Sequence, residues 1–254
     1  MKLRILGSGT STGVPEIGCT CPVCTSTDVR DKRLRTSALV ETDDARILLD
    51  CGPDFREQML RLPAFRSLDA VLISHEHYDH VGGIDDLRPF CRLGEIPLYG
   101  NAYTTTHLKE RIPYCFAEHK YPGVPAIYLH EATPGVPFYV HTTEVMPIQV
   151  MHGRLPILGY RIAKRFGYVT DMVSMSEDSY ELLKGVDVLV LNALRPKPHP
   201  THQHFERALL VAARIGAKKT FLVHMSHHAG LHADISRQLP PDVYFACDGL
   251  EIDF

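Results

Sequence analysis

The 254-residue chain has no tryptophan, no low-complexity tract and no long block of like charge. It also lacks any run near the roughly 20 apolar residues that a membrane-crossing helix requires. The opening Met1-Lys2-Leu3-Arg4-Ile5-Leu6 is too short and too charged for the apolar core of a signal peptide. No membrane partner is therefore expected, and the expected location is the cytoplasm. A net charge of −3 removes the broad basic surface that general nucleic-acid binding calls for. No linker interrupts the alternation of strand and helix patterns. Residues 1–254 thus read as one α/β domain, large enough to bury a substantial core.

Histidine and cysteine, by contrast, are plentiful and clustered. The chain has 15 histidines, and four potential metal ligands fall within six positions of Ser74-His75-Glu76-His77-Tyr78-Asp79-His80. An apolar strand pattern, Asp69–Ile73, precedes the run, and Gly82-Gly83 and an apolar-periodic segment follow it. The ligands would thus lie on a loop between strand and helix, at the strand end where α/β proteins place chemistry. Two histidines separated by one residue can approach one ion, while the Asp-His pair turns toward a second. Three of the seven cysteines are bunched as Cys19-Thr20-Cys21-Pro22-Val23-Cys24. In a reducing compartment such a cluster indicates metal rather than disulfide. Three thiolates need a fourth ligand for a closed tetrahedral zinc site, and His227 is the best candidate.

Strands are expected at Lys2–Leu6, Ser37–Glu41, Arg46–Asp50, Ile96–Tyr99, Phe138–Thr142, Glu144–Val150, Leu158–Ala163, Phe166–Thr170, Val186–Asn192, Thr220–His224, Val243–Cys247 and Leu250–Ile252. Helices are expected at Asp54–Leu62, Val81–Leu93, Ser176–Leu183 and Thr201–Ile215, the last capped by Thr201. Residues 112–137, rich in Pro and Gly, read as a surface excursion. Asp50 before Gly52 and Asp248 before Gly249 are candidates to orient a ligand histidine. Arg195 and Lys197 could contact a phosphate.

The spacing His-x-His-x-Asp-His after its strand resembles the signature of the metallo-β-lactamase superfamily, whose members mostly hydrolyse esters with one or two bound metals. The resemblance implies a four-layer αββα sandwich, with helices outside two packed sheets. It also implies three further ligands at strand ends: His152, Asp171 after Tyr168-Val169-Thr170, and His224 after Thr220-Phe221-Leu222-Val223. On that pattern His75, His77 and His152 hold one divalent ion, Asp79, His80 and His224 hold the other, and Asp171 bridges them. Asp79 and Asp171 are then part of the catalytic apparatus, and zinc or manganese would suit the donors.

A narrower resemblance rests on Gly7-Ser8-Gly9-Thr10-Ser11-Thr12-Gly13-Val14-Pro15, the cysteine triplet and His224-Met225-Ser226-His227. These are similar to the PhnP subgroup of phosphodiesterases, in which a Cys3His zinc clamps the N-terminal loop. The likeness extends from residue 3 to Glu251. It implies a structural zinc on Cys19, Cys21, Cys24 and His227, beside two catalytic divalent metals. The implied substrate is a small phosphodiester, one option being a cyclic phosphoribosyl ester, attacked by a metal-bridged hydroxide. His202 would protonate the leaving oxygen. His204 stands where the subgroup has aspartate and is the second candidate for that acid. A homodimer is a further implication of the resemblance.

Two alternatives stay open. A ribonuclease similar to tRNase Z would share the metal chemistry, but such enzymes grip RNA with a basic arm, and Lys120 is the one firm cation in 112–137. A non-catalytic protein similar to PqqB would share the cysteine-rich loop, but the complete ligand set argues for catalysis.

Overall fold

The strand patterns assemble into two sheets facing each other. The computed structural model describes every residue except Glu118 and Lys120. Lys120, the cation noted for the 112–137 segment, thus lies outside the described residues. The first sheet contains β1 (Lys2–Gly7), β2 (Ser37–Glu41), β3 (Arg46–Leu49), β4 (Ala70–Leu72), β5 (Ile96–Gly100) and β6 (Ile127–Glu131) in that order. The second contains β7 (Phe138–Val140), β8 (Thr143–His152), β9 (Leu155–Ile162), β10 (Phe166–Val169), β11 (Ser174–Met175), β12 (Val188–Asn192), β13 (Lys219–Val223) and β14 (Val243–Phe245). The closing strand β15 (Glu251–Asp253) returns to pair antiparallel with β1. Strands β3 to β6 run parallel, as do β10, β12, β13 and β14.

Burial on both faces explains the composition of these strands, since parallel strands covered on either side read as unbroken apolar runs. Every residue of β12 (Val-Leu-Val-Leu-Asn) and of β3 is buried. One apolar layer, including Ile5, Val40, Ile47, Leu72, Leu158, Tyr160, Tyr168 and Val190, fills the space between the sheets. A second covers the outer face of the first sheet and includes Phe55 of α1 (Phe55–Leu60), Val81 of α2 (Tyr78–Val81) and Leu108 of α3 (Ala102–Arg111). A third joins the outer face of the second sheet to Leu183 of α4 (Glu177–Leu183) and Ala208, Val211 and Ile215 of α5 (Phe205–Ile215). The four-layer αββα sandwich follows directly. Among the described residues no helix is long and apolar enough to cross a membrane.

Several elements depart from the sequence reading. The helix expected over Val81–Leu93 is broken into α2 and two 3-10 turns, Ile84–Leu87 and Phe90–Leu93. Gly82-Gly83 and Pro89 interrupt it, and proline cannot donate a helical hydrogen bond. Thr201 is not the cap of α5, which begins at Phe205 with His204 in the cap position. Residues 112–137 are not wholly an excursion, because β6 lies within them and extends the first sheet. Helix α3 was not anticipated; Asn101 caps it by accepting from the Thr104 N–H.

The region preceding the site is packed backbone against backbone. Cys51 N–H donates to the His80 carbonyl at 2.8 Å, and Gly83 N–H to the Cys51 carbonyl at 2.9 Å. A Cβ at Gly83 would sit 2.1 Å from the Gly52 carbonyl oxygen, and one at Gly52 would sit 2.1 Å from that of Asp79. Only hydrogen fits at either position. Gly83→Ala is therefore expected to cost about 1–3 kcal/mol. Thermal unfolding should show a melting point lower by roughly 2–4 °C per kcal/mol; an unshifted melt would refute this close packing.

Candidate metal centre

Strand ends deliver the polar residues to one edge of the sandwich. His75 and His77 follow β4, while Asp79 and His80 form the first turn of α2. His152 ends β8, Asp171 follows β10 by two residues, and His224 follows β13. Asp171 (φ 53°) and His224 (φ 60°) adopt left-handed backbone, as does Asp50 (φ 58°) beyond β3. Non-glycine residues there are uncommon and strained, and such strain concentrates at functional sites.

Two donor groups result. His75, His77 and His152 offer ligand atoms within 4.8 Å of one another, and so do Asp79, His80, Asp171 and His224. A third overlapping group, His152, Asp171 and His202, connects them. The ring nitrogens meet carboxylate oxygens without hydrogen-bond geometry. His80 Nε2 lies 2.7 Å from Asp171 Oδ2 and 3.1 Å from Asp79 Oδ2, and His224 Nε2 lies 3.0 Å from Asp171 Oδ1. His75 Nε2, His80 Nε2, His202 Nδ1 and His224 Nε2 are buried without a hydrogen-bond partner among the described residues. Buried polar atoms are rarely left so. Convergent lone pairs of imidazoles and carboxylates fit divalent cations.

Electrostatics points the same way. Burial opposes ionisation of Asp79 and Asp171, yet the neighbouring imidazoles hold both carboxyls well below their usual range. Burial also opposes charge on His80, but Asp79, Asp50 and Asp171 push its pKa well above the ordinary value. The cluster thus demands positive charge. Burial pushes His75 and His152 downward, which keeps both rings neutral, the form that ligates metal.

Asp50 is the hub behind these donors. Its Oδ1 accepts from Ser74 N–H at 2.7 Å, and its Oδ2 accepts from Tyr168 OH at 2.9 Å and Ser74 Oγ at 3.0 Å. The same Oδ2 lies 2.8 Å from His80 Nδ1, which fixes the ring and leaves Nε2 for the cluster. Opposite the hub, Tyr160 OH donates to the Ile73 carbonyl and Leu158 N–H to the Ser74 carbonyl. The sequence shows Asp50 only as a carboxylate two residues before a glycine. Asp248 carries a similar signal but serves elsewhere, accepting from Ser8 and Leu34 N–H groups. Tyr168 and Ser74 left no distinguishing sequence signal.

The two candidate acids separate cleanly. His202 Nδ1 lies 3.0 Å from Asp171 Oδ1, and its ring stands 4.9 Å from that of His152 and 5.0 Å from that of His224. His204 lies outside all three donor groups, at the start of α5, with Nε2 3.9 Å from Glu206.

A further donor group joins Cys19, Cys21, Cys24 and His227. His227 Nδ1 is 3.1, 3.8 and 3.4 Å from the three sulfurs in turn. Tetrahedral zinc at its usual bond lengths would set such edges at about 3.5 Å. The set fits zinc, which would tie the N-terminal loop to the segment carrying His224. Beside it a buried network braces that loop: Arg33 donates to Ser8 Oγ and the Ala246 carbonyl and faces His232 Nδ1 at 3.1 Å.

A family model for the beta-lactamase superfamily domain matches residues 45–225. The chain belongs to the metallo-β-lactamase superfamily, and its His/Asp cluster offers the donors of a metal ion. A solved diphosphatase of the PhnP family places it within that branch. It is 40% identical, has a TM-score of 0.91, and the match covers 100% of this chain and 96% of the other. Zinc-bound PqqB from Methylobacterium extorquens, at 21% identity and a TM-score of 0.80 over the whole of both chains, shares the fold. An octanoyltransferase of Porphyromonas gingivalis is 47% identical over 253 residues, 99% of this chain. This chain spans only about half of that protein, 51% of its length.

Two predictions follow from the bracing. Asp50→Asn preserves an acceptor for Ser74 but replaces the carboxylate facing His80, and should weaken divalent-metal affinity about 10- to 100-fold. Competitive chelator titration would measure this, and wild-type affinity would refute the hub. His232 is held down to about 4 by burial and by Arg33, against 6.5 ordinarily. Its contribution to stability is complete above pH 6.5 and is lost as pH falls toward 4. Asp248, pushed up to about 6 by burial, acts in the opposite sense. His232→Asn removes only the histidine contribution. Between pH 7 and 4.5 the variant should lose less stability than wild type, by on the order of 2–3 kcal/mol in urea unfolding. Parallel losses would refute it.

Proposed function

We propose that the chain is a metal-dependent phosphodiesterase acting on a small phosphodiester rather than on nucleic acid. The convergence of seven His and Asp donors carries this reading, and full-length similarity to a PhnP-family diphosphatase supports it. His75, His77 and His152 would hold one divalent ion, and Asp79, His80 and His224 a second, with Asp171 shared. Zinc and manganese both suit the donors, and a structural zinc would occupy the Cys3His set. Two such ions, when bound, provide an ionised water near neutral pH and neutralise the phosphoryl oxygens.

This chain's own residues contribute positioning and proton transfer. Asp50 holds His80 in one orientation, and the buried carboxylates of Asp79 and Asp171 stay ionised. His202, beside Asp171, stands at the site's edge and would deliver a proton to the departing oxygen. The donors are imidazoles and carboxylates, with no thiol or amine to carry an acyl group. That favours hydrolysis over the octanoyl transfer for which the longer Porphyromonas protein is named.

The test is turnover of a 4-nitrophenyl phosphodiester and of an alkyl phosphodiester by the zinc- or manganese-loaded chain. Activity should require metal and disappear in Asp171→Ala. His202→Ala should slow the alkyl ester by roughly 10²–10⁴-fold and the aryl ester far less, because nitrophenolate leaves without a proton. No turnover with both metals bound would reject the reading.

A further inference from the structure

A groove crosses the outer side of the first sheet at the strand ends opposite the metal donors. Arg46 opens β3, whose far end leads to Asp50, and Arg66 precedes β4, whose far end leads to His75. The groove has two compartments, of about 220 and 400 Å³, and both are lined by Arg46, Leu62, Pro63, Ala64 and Arg66. The loop between α1 and β4 is therefore their common wall. The larger compartment falls within the roughly 300–1,000 Å³ usual for small-molecule pockets. One elongated ligand can occupy both.

The compartments differ in chemistry. The larger is walled by Phe55, Met59, Leu60, Phe65 and Phe90. Phe65 is 59% exposed and Leu60 65% exposed, although the Phe65 ring stands 4.7 Å from that of Phe90. Large apolar side chains gathered at an open cavity mark a surface that gains from being covered. Arg56 and Asp86 also line it, one charge of each sign. The smaller compartment instead gathers Lys2, Arg4, Arg46 and Arg66 around a single carboxylate, Glu41, among the described residues. Glu41 is shared by Arg46 and Arg66, at 3.0 and 2.7 Å. Glu251 lies behind the lining and is shared by Lys2 and Arg4, with Asp253 acting on Lys2 more weakly. Arg46 is buried, and its Nη1 donates to the Arg66 and Ser67 carbonyls. Its Nε is buried without a hydrogen-bond partner among the described residues. Burial lowers the pKa of Arg46; Glu41 opposes this and Arg66 adds to it. A further anion at the junction of the compartments would relieve that charge.

We propose that this groove is a binding site for a free medium-chain carboxylate, a molecule with one unbranched apolar tail and one anionic head. The tail lies along Phe55, Met59 and Phe65, and the carboxylate meets Arg46 and Arg66 where the compartments join. Arginine is suited to that head, because its planar fork matches the two carboxylate oxygens. The tail supplies affinity by covering apolar surface, about three- to fourfold for each methylene buried. Both compartments lie side by side along one surface, so the protein holds tail and head together. A bilayer lipid would instead direct its tails away from the protein. The site is separate from the metal centre, and the proposal goes beyond the hydrolytic reading without depending on it.

Calorimetry on the full chain compares decanoate, hexanoate and 1-decanol in wild type, Phe65→Ser and Arg66→Glu. Both substituted side chains are exposed, so neither change should alter the thermal melt. Decanoate should bind wild type at least about tenfold more tightly than either hexanoate or decanol. Phe65→Ser should weaken decanoate at least about fivefold. Arg66→Glu should weaken it at least about tenfold and leave decanol unchanged. Absence of decanoate binding, equal affinity for decanoate and decanol, or wild-type affinity in both variants would overturn the site. Should a variant unfold, the contrast between decanoate and decanol in wild type decides alone. Sedimentation and vesicle pelleting distinguish other occupants. A dimer that Phe65→Ser splits would make the groove an interface between copies of this chain. Pelleting with phosphatidylglycerol vesicles, without decanoate binding, would make it a membrane-facing surface. Either result overturns the proposal. No readout here involves phosphodiester turnover, so failure of that reading shows separately.

Discussion

The Asp50 carboxylate is fully buried and is met by groups from the second sheet, a loop and a helix, and the donor cluster is organised around it. Tyr168 reaches it from the second sheet, Ser74 from the loop after β4, and His80 from α2. A buried carboxylate is costly unless its lone pairs are satisfied. The elements that satisfy it therefore cannot shift independently. The same bonds that compensate the burial of Asp50 set the position of His80, and through it the face presented by Asp79 and Asp171. Strained backbone at Asp50 is tolerated because this network overdetermines it.

The second constraint is charge. Three carboxylates lie within reach of one imidazole, which takes up a proton as the alternative to having a cation nearby. Ion binding would thus exchange one positive charge for another without changing the packing. The cysteine set sits apart from this cluster but belongs to the same mechanical unit. His227 is three residues beyond His224, and the Ser8–Thr10 backbone pairs with Met225. Closing the Cys3His set would restrain the segment that carries His224 and, four residues on, His228.

Local chemistry was legible wherever ligands are adjacent in sequence. His75, His77, Asp79 and His80 come from one turn, and Cys19, Cys21 and Cys24 from another, so their spacing alone shows that they can converge. Strand positions were also legible, because β2, β3 and β12 are each built on a run of three or four apolar residues. The whole of β6 and the whole of α3 were not. Tyr128 and His130 give β6 one polar face at the sheet's edge, and Tyr-Thr-Thr-Thr gives α3 little helical periodicity. The Val81–Leu93 helix failed for a different reason. Apolar spacing there was helical, but two glycines and a proline govern the backbone, and the short turns bury the same side chains.

By itself the sequence determined the donor types, the two dense ligand clusters, most of the strands and the absence of a long apolar span. These depend on neighbouring residues and on composition, which the chain carries locally. Only the tertiary structure decided which of two equivalent-looking aspartates stands behind His80, which of His202 and His204 faces Asp171, and that Arg195 and Lys197 share a cavity with His228. Each of those is a contact between residues far apart in sequence or on opposite sides of a loop. Their energies come from burial and closure of the sandwich, and no local pattern encodes that.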